Sequence, residues 1–113
     1  MLDAIMRIGI YTAELKDAAA LEADFKSQDA VLRNIEIIGE AANKIARVDP
    51  DFVIRHPDFE WTGIRGMRNK LIHDYFEVDF DLVWQTVQQD LPELERKARA
   101  ALAELTPPPS NSG

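Results

Sequence analysis

The side chains best suited to chemistry fall within one short segment, Arg68-Asn69-Lys70-Leu71-Ile72-His73-Asp74-Tyr75, where an arginine and a histidine are separated by four residues and a tyrosine follows two later. Histidine takes and returns protons near neutral pH, its unperturbed pKa being about 6.5. Arginine stays protonated and offers a planar fork that matches phosphate. Cleavage of a phosphodiester by its own 2′-hydroxyl needs both: a proton acceptor for the hydroxyl and a fixed cation for the charge on the pentacoordinate phosphorane. His73 and Arg68 are the candidates, with Arg65 in support. No acidic cluster with metal-ligand spacing stands beside them in the sequence, so the expectation is chemistry without a metal or other cofactor.

One histidine serves one proton transfer at a time, and a symmetric dimer would supply a second Arg68 and His73 as the complementary acid and base. Helix geometry gives the same idea another motive. At about 100° per residue, a five-residue step leaves Arg68 and His73 roughly 140° apart on an ideal helix. Either the helix unwinds near His73, or the arginine of one chain faces the histidine of another. Tyr75 falls about 20° from Arg68 by the same count if the helix reaches that far.

The elements that must position this segment are helices. Leu2, Ile5, Met6, Ile8, Ile10, Tyr11 and Leu15 give residues 2–18 a helical spacing. Ser27 is the expected N-cap of a second helix running to Val48, where Asp49-Pro50 closes it. That helix carries Val31, Leu32, Ile35, Ile38, Ala42 and Ile45 and a second set, Ile37, Ala41 and Val48, which together cover a wide apolar arc and place it at the centre. Its polar stripe, Arg33, Glu36, Glu40, Asn43 and Arg47, recurs every three or four residues. Such a stripe is ordinarily a solvated, ion-paired face; the alternative is that Glu36, Glu40 and Asn43 line a functional groove.

Residues 49–60 read as a connector with one helical turn at Phe52-Val53-Ile54, and His56 within it has no assigned role. A third helix is expected from Trp61 to His73, with Gly63 and Gly66 permitting close backbone packing. A fourth starts near Asp79 and carries Phe80, Val83, Val87, Leu91, Leu94, Ala98, Ala101 and Leu105 at near-heptad spacing. Pro92 should kink or restart it, with Asp90 available as a new N-cap. The sum is an all-α, up-and-down bundle of four to five helices over residues 1–105. The tail 106–113, Thr-Pro-Pro-Pro-Ser-Asn-Ser-Gly, has no apolar side chains to pack and is expected to be disordered.

Composition narrows the partners. At 113 residues and 46% hydrophobic content the chain fits one domain, and the absence of cysteine removes disulfides, thiolate metal sites and cysteine nucleophiles. Thirteen Lys and Arg against twenty Asp and Glu give a net charge of -7, which argues against extended nucleic-acid binding, so any RNA contact must be local. Charges interrupt every apolar run at the N-terminus, so no signal or membrane span is expected and a cytoplasmic location is.

The stretch from Trp61 to Asp79, with Ile37-Ile38-Gly39-Glu40-Ala41-Ala42 before it and Val83-Trp84 and Asp90-Leu91-Pro92 after it, resembles the HepT-like branch of the HEPN superfamily. The likeness spans nearly the whole chain except the tail. It implies a HEPN-type bundle and a toxin of a type VII-like prokaryotic toxin–antitoxin pair. That toxin is a metal-independent endoribonuclease whose antitoxin partner is a minimal nucleotidyltransferase. The R-x4-H pair of that family is matched by Arg68 and His73, the supporting polar residue by Asn69, and the tyrosine that the antitoxin adenylylates by Tyr75. AMP on Tyr75 would add bulk and negative charge where RNA phosphate must bind. Without the resemblance, Arg68 reads as a surface ion-pair residue, His73 as a helix-end cation and Tyr75 as core. A non-catalytic helical module that binds a nucleotidyltransferase or a nucleotide is the alternative function.

Overall fold

The computed structural model describes residues 1–74 and 77–105; for residues 72–74 and 105 it describes the backbone alone. Among these the fold is all-α apart from one very short hairpin. The longest rod, α3 (Phe25–Val48), buries Val31, Ile35, Ile38 and Ala42, whose three- and four-residue spacing forms a single stripe. It packs against α1 (Leu2–Thr12), α2 (Ala18–Ala23), α4 (Pro50–Arg55), α5 (Trp61–Arg65) and α6 (Met67–Leu71), which confirms its central place.

Capping explains where the rods break. The first helix was expected to reach residue 18 but ends at Thr12. Asp17 then opens α2 by accepting the Ala20 N–H at 2.9 Å. Of the apolar residues assigned to the first helix, Ile5 and Ile8 are buried, whereas Met6, Ile10 and Tyr11 face outward. The cap of α3 is Asp24 rather than Ser27. Asp24 accepts from both the backbone N–H (3.2 Å) and the hydroxyl (2.9 Å) of Ser27. Asp49 ends α3 and also caps α4, accepting from Phe52 N–H at 3.1 Å, with Pro50 at the first helical position. The connector is therefore more structured than one turn. After α4, a 3₁₀ turn (Pro57–Phe59) leads into a cluster in which the Phe59 and Trp61 rings stack at 5.0 Å and His56 lies 4.3 Å from Phe52.

The third helix departs most from expectation. Gly66, at φ -93° and ψ 2°, divides it into α5 and α6, and α6 stops at Leu71. Ile72–Asp74 is extended (β1) and pairs antiparallel with Glu77–Val78 (β2), Ile72 opposite Val78. The Asp79 N–H returns to the Leu71 carbonyl at 3.1 Å, closing the excursion, and Asp79 then caps α7 (Phe80–Gln85).

Beyond α7 comes a π-helical turn (Thr86–Asp90) and then α8 (Leu91–Leu105). The expected apolar stripe is buried at Val83, Val87, Leu91, Leu94 and Ala101. Val83 to Leu91 is eight residues where a heptad has seven, an overshoot of about 80° on an ideal helix. The wider π turn absorbs that residue. It also accommodates Pro92, because a π turn needs no donor at the usual position and relieves the clash with the carbonyl four residues back. Asp90 accordingly falls inside this turn instead of starting a new helix.

Candidate functional site

The polar stripe of α3 meets the basic residues of α5 and α6. Glu36 Oε1 accepts from Arg68 Nε at 2.9 Å, and two helical turns further on Asn43 Oδ1 accepts from Arg65 Nε at 2.5 Å. Between them on the same face is Gly39. A Cβ placed there would lie 3.5 Å from the Arg65 carbonyl oxygen and 3.6 Å from that of Ile64. The end of α5 therefore settles onto α3 at a distance that leaves room for no more than a methyl group, and the two polar contacts flank that approach. Close packing was expected from Gly63 and Gly66: at Gly63 a Cβ would meet nothing within 4 Å, at Gly66 it would lie 3.3 Å from the Thr62 carbonyl oxygen four residues back, and the approach between α3 and α5 is at Gly39.

Glu36 is also reached by Arg33 at 3.3 Å, so its carboxylate lies between two guanidinium groups. Its pKa is lowered, chiefly by the hydrogen bond from Arg68; partial burial opposes this, and the charges of Arg68 and Arg33 add to it. Arg68 remains half exposed, with its side chain at 51%. Among the described residues it donates through Nε alone, and a guanidinium held by Nε still presents Nη donors to an incoming phosphate. Glu40 is different: it is exposed and, among the described residues, pairs only with Arg33, at 3.8 Å. The stripe is thus a paired polar face: Glu36, half-buried, and Asn43, exposed, meet the arginines of α5 and α6, while Glu40 stays at the solvent edge.

Asn69 is exposed on α6 beside Arg68. The backbone of His73 lies in β1, past the end of α6, so the 140° separation on a common helix does not apply: the chain unwinds between the two residues. Tyr75 lies outside the described residues, as does the tail 106–113, and its angular relation to Arg68 lapses because the helix ends at Leu71. Sequence reasoning named Glu36 and Asn43 but not their partners. The available signal was Gly39 midway between them on the same face. Among the described residues no helix is long and apolar enough to cross a membrane.

Comparison with known proteins gives the family. Residues 1–101 match the family model described as "Ribonuclease HepT-like". A protein of Thermococcus cleftensis named "Probable ribonuclease HepT" is 47% identical over 74 residues, 66% of this chain and 64% of that one. One from Caldanaerobacter subterraneus subsp. tengcongensis, named "Putative RNase TTE0752", is 40% identical over 73 residues, 65% of this chain and 62% of its own. A longer Methanocaldococcus jannaschii protein, "Gamma-glutamylcyclotransferase and putative RNase MJ0434", is 35% identical over 105 residues, 93% of this chain and 46% of its own. The first two matches thus span rather less than two thirds of each relative. No solved structure matches the chain. With a family model covering all but the last twelve residues, the chain belongs to the HepT-like ribonuclease family.

Proposed function

We propose that the chain is an endoribonuclease, the toxin of a toxin–antitoxin pair, cutting RNA without a metal through Arg68 and His73. The observation that carries this reading is the ribonuclease-family match running through the whole Arg68–Tyr75 segment, within which Arg68 is solvent-facing and fixed by Glu36. The substrate's 2′-oxygen attacks the adjacent phosphorus and gives its proton to an imidazole. The phosphorus–5′-oxygen bond breaks, the leaving oxygen takes a proton, and a 2′,3′-cyclic phosphate remains. Arg68 balances the charge that builds on the phosphorane oxygens. A homodimer supplies the second imidazole, so that one acts as base and the other as acid. A minimal nucleotidyltransferase is the antitoxin, silencing the site by adenylylating Tyr75.

The test is cleavage of total cellular RNA by the purified chain in chelator, beside Arg68→Ala and His73→Ala, with end-group analysis of the fragments. Cutting that vanishes in both variants and leaves cyclic phosphate ends supports the reading. Intact RNA from a chain whose Tyr75 is shown by mass to be unmodified supports instead a non-catalytic module that binds the nucleotidyltransferase.

A further inference from the structure

A cleft of about 270 Å³ opens on the side of α5 and α6 away from α3, bounded opposite by the π turn and α8. Its floor is apolar: Ile64, Met67, Leu71 and Leu94 are all buried. Its rim is charged, with Glu60 facing Asp90, Glu93 and Lys97 across the cleft and Lys70 at the end of α6; Glu93 is engaged by Arg96 and Lys97 by the Asp58 carbonyl, which leaves Glu60 and Asp90 as the carboxylates open to a ligand. Both walls depart from regular backbone. Glu60 is the one non-glycine residue with positive φ among those described (φ 51°), and Asp90 closes the π turn. The π turn, set by the eight-residue interval and Pro92, and the left-handed residue that joins the 3₁₀ turn to α5 thereby shape the two walls.

We propose that this cleft accepts a nucleobase of the RNA substrate; the proposal rests on the ribonuclease reading above. An apolar floor suits a ring face, and the Met67 thioether adds a favourable contact to an aromatic ring. The volume is near the lower end of small-molecule sites, enough for one base and too small for a stretch of strand. Carboxylates at the rim accept hydrogen bonds from exocyclic amino groups, which adenine, cytosine and guanine carry and uracil lacks. Lys70 meets the flanking phosphate as a point charge. Arg68 and Lys70 are two residues apart on α6, about 200° around the helix, so one faces α3 and the other the cleft. The separation is on the order of 10 Å, the width of a helix, which a short RNA segment bridges. A net charge of -7 permits only such local recognition, with base contacts contributing where phosphate contacts are few.

The test is a titration of the ¹⁵N-labelled full chain with tetranucleotides of adenosine, cytidine or uridine carrying 2′-fluoro sugars, which lack the attacking hydroxyl. Shifts should map to cleft residues, with the adenosine and cytidine tetramers binding at least roughly fivefold more tightly than uridine. Gly63 lines the cleft with open space at its Cβ position, so Gly63→Leu fills it without displacing backbone and should weaken binding by about tenfold. Glu60→Gln with Asp90→Asn should erase the base preference. Adenosine and cytidine as free nucleosides, run in parallel, separate two sources of the same chemistry. Weaker binding than the tetramer marks a subsite of an RNA path, and equal binding marks a site for free nucleosides; either retains the cleft as a nucleobase site. Base-selective binding by a chain that cuts no RNA would remove the ribonuclease reading and keep the cleft. RNA cleavage with no shifts at the cleft, and oligonucleotide binding indifferent to Gly63→Leu, would overturn the proposal and keep the ribonuclease.

Discussion

Arg68 and Glu36 stand 32 residues apart in sequence and 2.9 Å apart in space, and their contact ties the segment that bears the candidate chemistry to the longest helix. Half exposed as it is, such a pair contributes on the order of 0–1 kcal/mol to stability. Its value is in aim. A long cationic side chain held at Nε loses fewer rotamers when a phosphate arrives.

Arg68→Ala should therefore reduce RNA cleavage by about 10²–10³-fold while changing stability by roughly 1 kcal/mol or less. Arg68→Lys should recover little of the loss, since an ammonium keeps the charge but not the fork. Single-turnover cleavage and urea unfolding of the same preparations check both halves. A lysine variant with full activity would show that charge alone is needed.

Acid should release this contact. The folded-state pKa of Glu36 is depressed, so its contribution is complete above the unfolded carboxylate pKa of about 4.3 and fades as pH falls through the lower folded value. Urea unfolding of wild type and Glu36→Gln at pH 7, 5 and 3 should show a gap of at most about 1 kcal/mol that closes at the acid end. A gap that widens toward pH 3 would mean that the carboxylate is not the stabilised form.

Gly39 discriminates by size. A methyl group meets the Ile64 and Arg65 carbonyl oxygens at ordinary contact distance, so Gly39→Ala should be neutral or stabilise by up to about 1 kcal/mol through helix propensity. Gly39→Leu should lift α5 off α3 and cost about 1–3 kcal/mol. Because α6 follows α5, the leucine variant should also lose cleavage more steeply than stability alone accounts for. Thermal melts beside cleavage assays make the comparison.

Leu91, 2% exposed where the π turn hands over to α8, anchors the far wall of the bundle. Leu91→Ala should cost about 2–5 kcal/mol and Leu102→Ala, at an exposed position, within about 0.5 kcal/mol. Denaturant midpoints of the two variants give the ratio.

The core was legible because its signal is periodic: Val31, Ile35, Ile38 and Ala42, and again Val83, Val87, Leu91 and Leu94, are buried where their spacing puts them. Boundaries were legible only where a cap was recognised. Asp24 and Ser27 are both good cap residues, and Asp24 takes the role by accepting from Ser27 twice. The end of α6 is not legible, because no cap or proline marks it and Leu71 and Ile72 suit a helix or a strand. The return of the Asp79 N–H to the Leu71 carbonyl, which the local sequence does not announce, decides it. Arg68 could be named from its motif, but its tie to Glu36 is tertiary and had only Gly39 as an indirect sign.

The π turn at Thr86–Asp90 makes two features of the sequence epistatic. Deleting one of its exposed glutamines, Gln88 or Gln89, would restore a seven-residue interval from Val83 to Leu91 and an ordinary α-helix. In that helix Pro92 would become an interior proline, at a cost of about 3 kcal/mol. Replacing Pro92 alone leaves the surplus residue in place, with nothing else to absorb it. A lineage can lose the turn cheaply only by losing both, and in doing so it would redraw one wall of the cleft.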